Sequence, residues 1–233
     1  IHYLVKGSGI PVLLIAPGGM RSCVANWEHQ PYDPWTALPA SRFYLIGMDQ
    51  RSAQIDGGKS SAQFKDGDGW HTFVEDQIAL LDHLGIQKCH TLGSCIGPSY
   101  QLRLMKEAPH RFGAAVLMQP IGLNIHTTEP GQAWVDLNRD ASSHWFGDWA
   151  MRMIGLELAK ESELRPLFDA MFGEGKDFVF TVSRDDVKAI GAPLLVFMGR
   201  DMYHPSQTSR EIAELAPNAE LIEEWRDMGP ELL

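Results

Sequence analysis

The sequence predicts an α/β fold, a mostly parallel sheet flanked by helices and carrying a helical cap insertion. Two observations predict it. Short apolar runs alternate with helix-period segments over most of the 233 residues, as in sheets assembled from strand-helix-strand units. From Gln119 to Ile190 that rhythm stops, and Trp134, Trp145, Trp149, Met151, Met153, Phe168 and Phe172 stand among charged residues. At roughly 150 residues per domain the length exceeds one domain by a fraction. Residues 119–190 account for that fraction as a cap or lid within a single domain spanning residues 1–233.

In chain order, the first strands are Tyr3 to Val5 and Val12 to Ala16, and the glycines of Lys6-Gly7-Ser8-Gly9 between them suit a tight hairpin. Further strands follow at Phe43 to Met48, Cys89 to Leu92, Ala114 to Met118, Leu194 to Met198 and Glu220 to Glu223, each too short for a helix. Thr72 to Leu84 sets Val74, Ile78 and Leu81 on one helical face, with Thr72 and Glu75 spaced as a capping box and Gly85 as the stop. The helix Ile96 to Glu107 tolerates Pro98 in its first turn and ends before Pro109. A shorter helix runs from Gln207 to Leu215.

Composition narrows the function. With 20 basic and 30 acidic side chains the net charge is −10, which argues against a nucleic-acid binder, since neutralising phosphates takes clustered excess lysine and arginine. No 18-residue apolar stretch predicts a membrane span, and Ile1 to Gly7 lacks the basic-then-apolar pattern of a signal peptide. The Ile1 start reads as that of a fragment. Three cysteines are an odd number and far too few for a disulfide scaffold. A cytoplasmic protein acting on a small molecule is expected, with its oligomeric state left open.

The chemistry concentrates in Gly93-Ser94-Cys95-Ile96-Gly97. A strand that turns directly into a helix strains its pivot residue, and the residues two before and two after must be small to avoid colliding across the turn. Gly93 and Gly97 flank Cys95 at that spacing, whereas Ser94 would have Leu92 and Ile96. The stretch is therefore a nucleophile elbow of the form G-x-C-x-G. Cys95 stands at the amino end of a helix, where the macrodipole favours the thiolate, the nucleophilic form. Its competing reading is a buried scaffold cysteine, and Cys23 and Cys89, which lack the flanking, are read that way. No cysteine pair has metal-ligand spacing, so neither metal nor cofactor is expected.

With its elbow, the chain resembles the α/β-hydrolase superfamily. Pro11-Val12-Leu13-Leu14-Ile15-Ala16-Pro17-Gly18-Gly19-Met20 is similar to that family's strand and glycine-rich oxyanion loop, with Pro17 where histidine is common. Met48-Asp49-Gln50-Arg51 resembles the D-Q-R segment of proline-iminopeptidase-like members. Leu80 to Ile86 resembles the helix end before the elbow strand, and Pro193 to Asp201 the strand delivering the acid. A sulfur nucleophile in this elbow is similar to dienelactone hydrolase. The resemblance implies Cys95 as nucleophile, the amides of Ile96 and Gly19 as the oxyanion hole, and Asp201 as the acid. Asp201 comes one residue earlier, in Gly199-Arg200-Asp201, than the G-x-x-D of many members. Asp49 and Arg51 are read as bracing their own loop.

The base departs from the family, whose histidine lies just past the final strand. Here that region is Glu224-Trp225-Arg226-Asp227-Met228-Gly229, and no histidine follows His204. Either the base has been lost, it lies beyond Leu233, or another histidine substitutes. His204, three residues after Asp201 and stiffened by Pro205, is the best substitute, with packing or capping as its competing role. His71 comes next, then His126 and His144 in the insertion; His83 and His90 sit in scaffold. Trp134, Trp145, Trp149, Met151 and Met153 are expected either to form an apolar lid over Cys95 or to be core.

Two functions remain open. One is a hydrolase of carboxylic esters, lactones or thioesters with a partly apolar substrate, working through a cysteine acyl-enzyme. The other is a non-catalytic small-molecule binding or sensing protein that has lost its triad histidine. The scaffold also hosts lyases and carbon–carbon bond hydrolases, which fold alone does not separate.

Overall fold

The computed structural model describes residues 1–28, 30, 32–123, 146–173, 175–201 and 203–225. Seven strands form one sheet: β1 Tyr3–Gly7, β2 Ile10–Ile15, β3 Phe43–Met48, β4 Cys89–Ser94, β5 Phe112–Met118, β6 Leu194–Phe197 and β7 Ala219–Ile222, in the order β1-β3-β2-β4-β5-β6-β7. Only β1 is antiparallel to its neighbour; the other pairs are parallel. The helices are α1 Pro34–Ala37, α2 Trp70–His83, α3 Gly97–Glu107, α4 at residues 146–155, α5 Glu161–Phe172, α6 Arg184–Lys188 and α7 Ser206–Leu215.

Strand alternation divides the core into two layers. On β2, Leu13 and Ile15 face one apolar cluster, while Val12, Leu14 and the following Ala16 face the other. The larger layer is closed by α2, α3, α4 and α5 through Phe73, Tyr100, Trp149 and Phe172; the smaller is closed by Trp27, Tyr32 and Trp225. A parallel sheet covered on both faces is why its strands read as unbroken apolar runs.

The expected hairpin does not form. Strand β3 lies between β1 and β2 and pairs with both. Gly7 (φ 88°) and Gly9 (φ 116°) shape a turn pressed against the start of β3, where Ser8 and Ile10 donate to the carbonyls of Ala40 and Arg42. A Cβ on Gly7 would stand 2.3 Å from the Phe43 carbonyl oxygen, so the glycines serve a third strand distant in sequence.

Helix α2 also starts two residues earlier than its spacing suggests. Gly69 takes the N-cap position, and Thr72 accepts the Gly69 amide on Oγ1 at 3.2 Å from inside the first turn. The buried Trp70 pulls the start back, its Nε1 donating to the Met171 carbonyl at 2.8 Å. Gly85 follows the helix with φ 69°.

The chain leaves β2 toward β3 and returns on the other side of β2 to form β4. The carboxyl ends of β2 and β4 thus flank the place where strand order reverses, where open α/β sheets bind ligands.

Candidate active site

Cys95 directly follows β4 and has φ 62°, a left-handed conformation that non-glycine residues rarely adopt. Its backbone is held on both sides: its amide donates to the Met118 carbonyl at 3.0 Å, and its carbonyl accepts from Ile121 at 3.1 Å. The flanking glycines are a steric necessity. A Cβ on Gly93 would stand 2.4 Å from Gln101 Oε1, and one on Gly97 would stand 2.8 Å from the Ile15 carbonyl oxygen. Beneath the pivot, the hydroxyl of buried Ser94 meets Tyr32 Oη at 3.3 Å and Gln119 Nε2 at 3.4 Å.

The loop after β6 carries His204 to the sulfur. Gly199 begins it, and a Cβ there would stand 2.4 Å from the His204 carbonyl oxygen, so glycine lets the loop fold back on itself. Asp201 Oδ1 accepts the amides of Tyr203 and His204, both at 3.0 Å, and also His204 Nδ1 at 2.7 Å. One carboxylate oxygen thus closes the turn and orients the imidazole. His204 is 9% exposed and lines the same cavity as Cys95, close enough that each perturbs the other's titration. Nδ1 is engaged by Asp201, and the buried Nε2 is left without a hydrogen-bond partner among the described residues.

Electrostatics separate the three cysteines. Burial raises the Cys95 thiol, but the charge and proximity of His204 and the backbone groups of Gly18 and Ile96 outweigh it and bring the thiol below its ordinary value. Burial likewise lowers His204, yet the Cys95 thiolate and Asp201 overcome it and push the imidazole up to about 9. The opposed shifts favour passing the proton from sulfur to imidazole. Burial drives Cys89 up to about 12, and burial followed by Asp49 raises Cys23.

Cys95 is half-buried and opens on a cavity of about 190 Å³, with Met20, Ile96, Ile121 and Tyr203 among its apolar walls and Gly18, Gly19, Arg21 and His204 completing it. A larger depression of about 630 Å³ lies by α6, but its Lys106, Arg184 and Lys188 are paired with Asp186, Asp177 and Asp185. Balanced charge and the lack of a perturbed nucleophile there leave the smaller cavity as the site. Among the described residues, no group of three or more His, Cys, Asp or Glu side chains is placed to hold a metal ion, and no helix is long and apolar enough to cross a membrane.

Of the residues named from sequence, Cys95, Ile96, His204 and Asp201 meet here. Gly19 and Gly18 both line the cavity, and the Gly18 backbone is among the groups that lower the Cys95 thiol. The two consecutive left-handed glycines, at φ 115° and 57°, turn successive amides in different directions, which spacing alone does not reveal. His71 is exposed and bonded to Thr72; His126 and His144 lie outside the described residues.

Of the two alternatives, lid or core, the described residues divide as follows. Trp149 and Met153 are fully buried in the larger core layer, and Met151 is 70% exposed; none of the three lines the cavity. Trp134 and Trp145 lie outside the described residues. Asp49 and Arg51 brace their loop: Asp49 accepts the Val24 and Lys59 amides at 2.8 and 2.7 Å, and Arg51 grips both oxygens of Asp76. Sequence reading missed Arg21, which pairs with Asp56 at 2.8 Å and with Asp148 of α4. It also missed Asn26, taken up below.

No protein-family profile matches the chain. It is 26% identical over 232 residues to a 2-hydroxymuconate semialdehyde hydrolase of Pseudomonas putida, covering 93% of this chain and 79% of that protein. The meta-cleavage product hydrolase CumD of Pseudomonas fluorescens IP01 superposes with a TM-score of 0.63 at 24% identity, covering 94% of this chain and 83% of that one. The enol-lactonase of Burkholderia xenovorans LB400 does so with a TM-score of 0.63 at 20% identity, covering 96% and 87%. The chain has the α/β-hydrolase fold, and its relatives support a hydrolase.

Proposed function

We propose that the protein hydrolyses carboxylic esters, lactones or thioesters through a Cys95 acyl-enzyme. The observation that carries this reading is an imidazole held by a carboxylate at 2.7 Å on the cavity of a cysteine that sits on a strained elbow, each shifting the other's titration. The Cys95 thiolate attacks the carbonyl carbon, and the oxyanion accepts from the Ile96 and Gly18 amides. His204 gives its Nε2 proton to the departing alkoxide or thiolate as the tetrahedral species collapses to a thioester. Neutral His204 then takes a proton from water, whose oxygen attacks the thioester and releases the acid, restoring the ion pair. Asp201 keeps Nδ1 protonated throughout and steadies the imidazolium. The 190 Å³ cavity suits a small apolar acyl group.

Residues 119–190 are read as an insertion of the single domain, tied to the oxyanion turn by Arg21 and Asp148. A cytoplasmic setting belongs to the same proposal. A second reading, hydrolysis of a carbon–carbon bond, is favoured by the Pseudomonas putida relative, a 2-hydroxymuconate semialdehyde hydrolase.

The test is hydrolysis of p-nitrophenyl butyrate by wild type and Cys95→Ala, with iodoacetamide labelling followed against pH. The expected result is activity lost with the sulfur, and labelling that persists well below the ordinary thiol range. Equal hydrolysis by Cys95→Ala rejects the acyl-enzyme. A thiolate fraction rising only near about pH 8.5 favours the non-catalytic binding protein instead.

A further inference from the structure

Gly18 lines the Cys95 cavity, and its amide keeps one direction only while the turn after β2 keeps one shape, though glycines at φ 115° and 57° have many others open to them. One side chain outside the cavity fixes that shape. Asn26 Nδ2 donates to the Pro17 carbonyl at 2.8 Å and to the Arg21 carbonyl at 2.9 Å, bridging the two ends of the turn. The Pro17 carbonyl and the Gly18 N–H belong to the same rigid peptide plane. Holding the oxygen on one side therefore aims the N–H on the other, and a flip of this peptide would break the bond to Asn26.

The same Nδ2 lies 2.3 Å from where a Cβ on Gly18 would stand, so it rests directly on the glycine. The amide's sense is set by Cys23, whose Sγ donates to Asn26 Oδ1 at 3.4 Å and leaves the NH₂ facing the two carbonyls. Asn26 is itself anchored in the 3-10 turn Val24–Trp27, with Trp27 fully buried and the Val24 amide held by Asp49. It is not among the residues lining the Cys95 cavity.

We propose that Asn26, oriented by the Cys23 thiol, is a positioning residue that aims the Gly18 amide at the oxyanion. This rests on the acyl-transfer reading and gives buried Cys23 a task beyond filling space.

The experiment compares wild type, Asn26→Ala and Cys23→Ala by three readouts. These are kcat and KM for p-nitrophenyl butyrate, inhibition by butyraldehyde, which forms a thiohemiacetal with Cys95, and the pH midpoint of Cys95 alkylation by iodoacetamide. For Asn26→Ala the expectation is a fall in kcat of about a hundredfold with little change in KM, as for loss of one oxyanion donor. Aldehyde affinity should fall in parallel, and the alkylation midpoint should rise because the thiolate loses an amide. Cys23→Ala, which leaves a small cavity and carries less folding risk, should move all three the same way by less.

A folded Asn26→Ala protein with wild-type kcat, or with reduced kcat but unchanged aldehyde affinity and midpoint, overturns the proposal. If Asn26→Ala does not fold, an unmoved Cys23→Ala does so. Should wild type hydrolyse no ester, the acyl-transfer reading fails by itself, while the alkylation midpoints still decide whether Asn26 aims the amide.

Discussion

Sulfur changes what the site asks of its histidine. A serine hydroxyl must surrender its proton during attack, whereas a thiol that has already passed its proton to His204 attacks as formed. The demand shifts to the later step, where an imidazolium must protonate the leaving group. In the proposed reaction Asp201 serves that step, since its Oδ1 gathers three donors and helps push His204 up to about 9. Asp201→Asn keeps the shape but weakens the acceptor. We expect ester kcat/KM to drop roughly 10²- to 10⁴-fold, the range for a disabled acid–base partner. Wild type should lose activity as pH rises through about 9, where the imidazolium is lost. That limb should move to lower pH in Asp201→Asn, because a raised value loses one of its supports. An unmoved limb with unchanged rate would mean that Asp201 only closes its turn.

At the scale of elements, steric necessity explains both what the sequence revealed and what it hid. The inner strands were readable because each is a short apolar run buried between two layers, and the elbow because its two small residues flank the pivot at a fixed spacing, even though the atom that crowds Gly97 belongs to distant Ile15. Gly7 and Gly9 misled because the strand they accommodate, β3, arrives from more than thirty residues away. The direction of the Gly18 amide stayed hidden since the turn that carries it is bridged by Asn26, and the task of Trp149 because a tryptophan on a helix fits a lid or a core alike until its Nε1 is seen donating to the Ser52 carbonyl at 3.0 Å. The loop bearing His204 yields a test of the same steric logic. Gly199→Ala sets a methyl 2.4 Å from the His204 carbonyl oxygen and 2.5 Å from its Cβ, backbone-level contacts that cannot swing away. Overpacking of this kind costs about 1–3 kcal/mol, a drop of several degrees in Tm for a chain of this size. Activity should fall by far more than the fraction unfolded, because the displaced group is the imidazole. Loss of activity in simple proportion to unfolding would show that the loop gives way elsewhere.

Across the whole molecule, the ion pair links the site to folding. Unfolded, the thiol titrates near 9.0 and the imidazole near 6.5. Folded, the imidazole is raised to about 9 and the thiol is lowered. From about pH 9 down to the lowered Cys95 value the folded pair holds one proton, on nitrogen; the unfolded pair holds one, on sulfur, from about 9 to 6.5. Where the two ranges overlap, its contribution to stability does not change with pH. The unfolded pair takes its second proton below about 6.5 and the folded pair below the lowered Cys95 value. On acidification stability is lost, at up to about 1.4 kcal/mol per pH unit, where only the unfolded pair has taken it, and gained where only the folded pair has. Cys95→Ala removes the thiolate, so the Tm difference between wild type and variant isolates the pair from other titrating groups. We expect that difference to be flat just below about pH 9 and to turn further down by up to roughly 3 to 5 °C per unit, against wild type if the folded Cys95 value lies below 6.5 and in its favour if it lies above. Calorimetry between pH 5 and 8.5 would measure it. A difference that stays level to pH 5 would mean that Cys95 and His204 fold as neutral neighbours, and the nucleophile would then need activation during attack, as a serine does.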